Sequence, residues 1–186
     1  MTTNILVTGM PGVGKTTLVR EVVEEAVKSG FRVIGFYTSE VRENNKRVGF
    51  QIADLDGRQA LLASVSFRTR YRVGKYGVNL HNLDLIGIRA VQRGLRSKKF
   101  DIILIDEIGK MELLSERFMA VLMKALDSEK PVLATIMHID NPFTRAIKSR
   151  EDAELFTLTR SNYDEVKAQV LQALMDICKG KIDEGR

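Results

Sequence analysis

Apolar and polar positions alternate along this chain in a way that marks out short buried strands and amphipathic helices. Asn4-Ile5-Leu6-Val7-Thr8 is an apolar run that ends in a glycine-rich turn, and Thr16 to Ser29 then carries Leu18, Val22, Val23, Ala26 and Val27 on one helical face. Gly30 closes that helix, and Phe31 to Ser39 reads as the next strand. Val48 to Leu55 and Arg58 to Val65 are strand-like and meet at Asp56-Gly57, which predicts an antiparallel hairpin inserted after the second strand. A polar, strongly basic connection follows from Ser66 to Leu80, and helical periodicity resumes over Asp84 to Arg96.

Phe100 to Ile105 is almost continuously apolar, as expected of a strand covered on both faces of a parallel sheet. Ser115 to Leu126 predicts a helix that buries Phe118, Met119, Leu122, Met123 and Leu126. Val132 to Met137 predicts a further buried strand, and Leu155 to Leu158 a short final one. A last helix begins near Ser161 and Asn162 and buries Val166, Val170, Leu171, Leu174 and Met175. The alternation of strands with helices predicts an α/β fold of three layers around a mostly parallel central sheet. A single domain over residues 1–179 with a charged, frayed tail at 180–186 follows from the length of 186 residues.

Composition narrows the class only slightly. Hydrophobic residues make up 44% and charged residues 28%, which excludes a largely disordered or fibrous chain. Lys and Arg number 29 against 24 Asp and Glu, a net charge of +5 that suits polyanionic ligands such as nucleotides without signalling a nucleic-acid binder. Cys178 is the only cysteine, so an intramolecular disulfide is excluded, and no apolar run approaches the ~20 residues of a membrane span. Met1 to Val7 has no features of a secretory leader, and a monomer in the cytoplasm is the expectation.

The chemistry concentrates at two points. Gly9-Met10-Pro11-Gly12-Val13-Gly14-Lys15-Thr16 fits the G-x-x-x-x-G-K-[ST] pattern, known as Walker A, and lies between a first strand and a first helix, where the pattern has physical meaning. Its backbone amides and the helix N-terminus predict a phosphate cradle, with Lys15 reaching the β- and γ-phosphates, Thr16 offering its hydroxyl to Mg²⁺ and Thr17 donating to the α-phosphate. Ile102-Ile103-Leu104-Ile105-Asp106-Glu107 is a buried strand ending in two acids, a Walker B arrangement. Asp106 is expected to hold Mg²⁺, and Glu107 to orient and deprotonate an attacking water.

Around the terminal phosphate the candidates are Lys110, read as either a phosphate contact or a solvated charge, and Thr135, read as either a phosphate sensor or a satisfied sheet threonine. Arg68, Arg70, Arg72 and Lys75 form either a closing basic segment or a solvated face, and His138 either approaches the base or lies on the surface. The same cradle also serves a nucleotide or small-molecule kinase, and a partner- or RNA-stimulated switch ATPase is a further alternative.

Four segments in order, Gly9 to Leu18, Gly35-Phe36-Tyr37-Thr38-Ser39-Glu40-Val41-Arg42, Tyr76-Gly77-Val78-Asn79 and Ile105-Asp106-Glu107-Ile108-Gly109-Lys110-Met111-Glu112-Leu113, resemble a known family. It is the small nucleoside-triphosphatase family first associated with thermophiles and found in animals as the cancer-related nucleoside-triphosphatase. The resemblance spans Asn4 to about Met175, and its Asp-Glu-Ile-Gly-Lys-Met-Glu stretch is far more specific than the cradle. It implies a RecA-like or AAA-like P-loop core and slow Mg²⁺-dependent hydrolysis of ATP, GTP and other nucleoside triphosphates to diphosphate, with loose base selectivity. It also implies that Glu107 is the catalytic acid–base residue and that Glu40, Arg42, Asn79 and Lys110 line the site.

Overall fold

Strands whose two faces are both covered need apolar side chains at consecutive positions, and the central strands have them. The computed structural model describes residues 3–184, with the backbone alone over 181–184. The first half runs β1 (Asn4–Thr8), α1 (Lys15–Lys28), β2 (Val33–Glu43), β3 (Lys46–Asp54), β4 (Gln59–Ser64), β5 (Arg72–Val73) and β6 (Tyr76–Val78). Then come α2 (Leu80–Asn82), a π-helical segment (Leu83–Ile88), α3 (Arg89–Arg96), β7 (Ile102–Ile108), a 3₁₀ turn (Glu112–Leu114) and α4 (Glu116–Leu126). The chain finishes with β8 (Val132–Ile136), α5 (Pro142–Lys148), β9 (Ala153–Thr157) and α6 (Tyr163–Glu184).

Among the described residues nine strands form one mixed sheet in the order β5-β6-β4-β3-β2-β7-β8-β1-β9. From β2 to β9 along that order every pairing is parallel, and from β2 outward to β5 every pairing is antiparallel. Successive side chains of β7 enter opposite cores: Ile103 and Ile105 pack with Phe118, Leu122 and Val91 from α4 and α3, while Ile102 and Leu104 pack with Leu18, Val22 and Val170 from α1 and α6. β1 divides likewise, with Leu6 in the first core and Ile5 and Val7 in the second. The sheet is therefore the middle of three layers in an α/β fold, and it is mixed rather than mostly parallel, its parallel strands forming one half and its antiparallel strands the other.

Local signals explain where the elements begin. Ser115 accepts a hydrogen bond from the Phe118 amide and starts α4. α5 is an element the sequence reading passes over; Asn141 and Thr144 form a reciprocal capping box there and Pro142 opens the helix. Within the basic connection Tyr76 and Val78 are buried, and β5 and β6 pair antiparallel around Gly74 and Lys75. The helical stretch expected from Asp84 begins at Leu80, and part of it winds as π-helix. α6 continues through Glu184, past the tail boundary expected at residue 180, and residues 185 and 186 of that tail lie outside the described residues.

Candidate active site

β1, β8 and β7 all point their C-terminal ends to one edge of the sheet, the edge where the loops of an open α/β sheet gather ligands. The segment leaving β1 turns back on itself through Gly12 and Gly14, whose φ values of 77° and 107° are left-handed and strained for any residue with a side chain. α1 starts directly after Gly14, so its free amides face the turn. The Tyr163 ring of α6 packs against Gly14, within 3.4 Å of where a Cβ would stand, and fixes the turn from behind.

Lys15 lies under this loop with 8% of its surface exposed. Its ammonium donates to the Gly9 carbonyl at 2.9 Å and to the Met10 carbonyl at 3.3 Å, which bends the side chain back over the cradle. Met10, at 60% exposed, rides on the outside of the loop.

Two strands away in the sheet, β7 delivers the acids. Its pairing with β2 ends at Ile105, and its register with β8 shifts between Ile105 and Ile108, so Asp106 and Glu107 fall in the break. The Asp106–Glu107 peptide is cis. Asp106 is completely buried, and its Oδ1 accepts from the Thr135 hydroxyl at 2.5 Å and from the Thr16 hydroxyl at 3.2 Å. Its other oxygen, Oδ2, is buried without a hydrogen-bond partner among the described residues. Burial pushes the Asp106 carboxyl above its usual range, and the Thr135 and Thr16 hydroxyls pull it back. Burial likewise raises Glu107; the Lys15 ammonium lowers it and the Asp106 charge adds to the rise.

The structure thus brings Lys15, Thr16, Asp106, Glu107 and Thr135 together. Of the two readings of Thr135, its hydroxyl is committed to Asp106. Lys110 is exposed just past β7 and forms no hydrogen bond or ion pair among the described residues. Glu40 and Arg42 lie on the exposed part of β2 and pair with each other, Glu40 also accepting from Arg47 and Arg42 donating to the Asn45 carbonyl, rather than reaching the cradle. The Asn79 side chain accepts from the Asn82 amide and caps α2. Arg68, Arg70, Arg72 and Lys75 are exposed; Arg70 stacks over Tyr71 and Arg72 donates to the Phe67 and Lys75 carbonyls. His138 lends its backbone carbonyl to Lys148.

Sequence reasoning missed Arg20 and Tyr37. The guanidinium sits 4.5 Å from the centre of the Tyr37 ring, and its charge works to lower Asp106. The spacing of Arg20 four residues after Thr16, one helical turn, was the available signal.

A glycine loop crossing from the first strand into α1, facing a hydroxyl-tethered aspartate at the end of a parallel strand one place beyond its neighbour, is the signature geometry of the P-loop nucleotide-binding proteins. Within that class the chain belongs to the NTPase family, whose family model matches residues 4–171. A nucleoside-triphosphatase THEP1 of Thermotoga sp. strain RQ2 is 47% identical over 170 residues, covering 91% of this chain and 94% of its own length. One from Methanocaldococcus jannaschii is 39% identical over 171 residues, covering 92% and 96%. The crystal structure of THEP1 from Aquifex aeolicus matches with a TM-score of 0.82 at 37% identity, over 92% of this chain and 98% of that one. The solution structure of a human cancer-related nucleoside triphosphatase matches with a TM-score of 0.81 at 31% identity, over 93% and 97%. The family resemblance carried by the four sequence segments is correct.

Proposed function

We propose that this chain hydrolyses nucleoside triphosphates to nucleoside diphosphate and phosphate, with a water activated by Glu107 and with Mg²⁺ bound between Thr16 and Asp106. The observation that carries the reading is the convergence of Thr16 and Thr135 on one oxygen of Asp106, beside a half-buried Glu107 on which the Lys15 charge acts. The relatives named nucleoside-triphosphatase support the reaction class.

The donor set fits a hard cation. Asp106 Oδ2 is a buried carboxylate oxygen without a partner among the described residues, and Thr16 adds a hydroxyl, both oxygen donors of the kind Mg²⁺ prefers. Mg²⁺, when bound, neutralises charge on the β- and γ-phosphate oxygens. The chain's own residues do the rest. The loop amides and the N-terminus of α1 hold the phosphates, and Lys15 exchanges its two carbonyl partners for phosphate oxygens. Glu107 accepts a proton from water as the water oxygen forms its bond to the γ-phosphorus; the bond from that phosphorus to the bridging oxygen breaks, and the diphosphate leaves with the electron pair. Thr135 keeps Asp106 oriented. Lys110, exposed at the end of β7, is the accessory cation.

Every group in this arrangement addresses phosphate, which supports a broad choice of base. The strand order β9-β1-β8-β7-β2, with one strand between the cradle strand and the acid strand, supports a RecA-like core, and the antiparallel β3–β4 pair supports an inserted hairpin. The test is Glu107→Gln assayed for phosphate release and nucleotide binding together. Turnover is expected to fall ~10²- to 10⁴-fold, the usual range for a lost general base, with Mg²⁺–nucleotide affinity kept within severalfold. A fall of less than severalfold removes Glu107 from the role.

A further inference from the structure

Glu112 is a buried carboxyl that this reaction does not yet use. It lies in the 3₁₀ turn between β7 and α4, is 4% exposed, and forms no ion pair among the described residues. A carboxyl so placed is costly to ionise and is stable as the neutral acid. The Glu107 carboxyl stands close to it, across Gly109. A Cβ added to Gly109 would stand 3.0 Å from Glu107 Oε1 and 3.0 Å from Glu112 Oε2, so the two oxygens are no farther apart than twice that distance. Gly109 keeps the space between them clear, since any side chain there would press on both carboxyls.

We propose that Glu112 is a positioning residue for Glu107: as the neutral acid it directs its O–H across Gly109 to the Glu107 carboxylate and keeps that carboxylate turned to the terminal phosphate. The inference rests on the reading that Glu107 activates water.

Burial and neighbouring charge favour the neutral form of Glu112. Burial, then the Glu107 charge and more weakly Asp106, push Glu112 up to about 8, against the pull of its own backbone amide and that of Gly109. Both acting charges come from β7. α4, also packed against the turn, carries Glu116 and Arg117 in its first turn; both are exposed, and Arg117 is paired with Asp84. Lys110, in the intervening loop, is exposed. A neutral neighbour leaves Glu107 free to carry the negative charge a base needs, whereas two carboxylates this close oppose each other. The acid therefore supplies a hydrogen bond without competing for the proton that water gives up.

The test follows phosphate release from Mg²⁺–ATP by the intact chain between pH 6 and 9.5, for wild type, Glu112→Gln, Glu112→Ala and Glu107→Gln. Glu112→Ala is expected to lower kcat by about tenfold or more while KM moves less than about twofold, the pattern of a group that acts only in the transition state. Glu112→Gln, whose amide still donates, is expected to recover most of that loss and to lack the decline in wild-type kcat above about pH 8. Three results overturn the inference: wild-type kcat in Glu112→Ala, a Gln variant as impaired as Ala, or an alkaline decline that persists in Glu112→Gln. If the Ala variant does not fold, the pH profile of the near-isosteric Gln variant decides alone. Wild-type turnover in Glu107→Gln overturns the functional reading and this inference with it, whereas an inactive Glu107→Gln beside wild-type Glu112 variants overturns this inference only.

Discussion

Thr135→Val isolates the hydroxyl that ties β8 to the acid end of β7. Val keeps the branched shape and nearly the volume of Thr at this completely buried site, so the change falls chiefly on the hydroxyl. What is lost is the hydrogen bond at 2.5 Å to Asp106 Oδ1, leaving that oxygen the longer contact at 3.2 Å from Thr16. A hydrogen bond to a charged group contributes ~1.5 to 3 kcal/mol. In a domain of this size that corresponds to a fall in Tm of roughly 3 to 12 °C, at about 2 to 4 °C per kcal/mol. Thermal melts of wild type, Thr135→Val and Thr135→Ser supply the measurement, with Ser expected close to wild type because it keeps the donor. Since Asp106 is then less firmly held, the Mg²⁺ concentration for half-maximal phosphate release is also expected to rise in the Val variant. A Val variant that melts within 1 °C of wild type (the precision of about 0.3 to 0.5 kcal/mol) with an unchanged Mg²⁺ requirement refutes the reasoning that Thr135 serves Asp106.

Other expectations follow from the same structure. Ser115→Ala removes the N-cap of α4 and costs about 1 kcal/mol, seen as a Tm lower by roughly 2 to 4 °C with kcat unaltered. Lys110→Ala lowers kcat roughly 3- to 10-fold, less than the ~10²-fold of a preorganised donor because this side chain is solvated; kcat within the error of wild type assigns Lys110 to the solvated surface. Glu112 binds its proton more tightly in the native state than in the unfolded chain. Its contribution to stability is therefore complete below about pH 4.5 and lost as pH rises through about 8. Denaturant titrations are expected to show wild type losing stability relative to Glu112→Gln across that window, by at most about 5 kcal/mol at 1.36 kcal/mol per pH unit, and parallel curves contradict a buried protonated Glu112.

Much of the central sheet was legible because burial on both faces leaves runs such as Ile102 to Ile105, and the cradle was legible because its pattern sits between a strand and a helix. α5 was hidden by shortness: seven residues give too little periodicity, although Asn141 before Pro142 was a usable start signal. The β5–β6 pair was hidden by charge, since Arg72 and Lys75 mask the alternation of Val73, Tyr76 and Val78. Local order marks Asp106 and Glu107 as candidates at the end of a buried strand, but which hydroxyls hold Asp106 depends on the arrangement of β8 beside β7, which no single segment encodes. Glu112 carries no sign of its burial either; only the turn at Gly109 brings it to Glu107. Glu40, placed near the site by resemblance together with Arg42, spends its charge on Arg42 and Arg47.

The central claim is that the terminal phosphate goes to water. Incubating the purified chain with Mg²⁺–ATP in ¹⁸O-labelled water, without any acceptor, and weighing the released phosphate by mass spectrometry tests it most directly. The account predicts steady phosphate release in which each phosphate carries one oxygen from solvent. No release until a nucleoside monophosphate or other acceptor is supplied, with the γ-phosphoryl group then found on that acceptor, contradicts it.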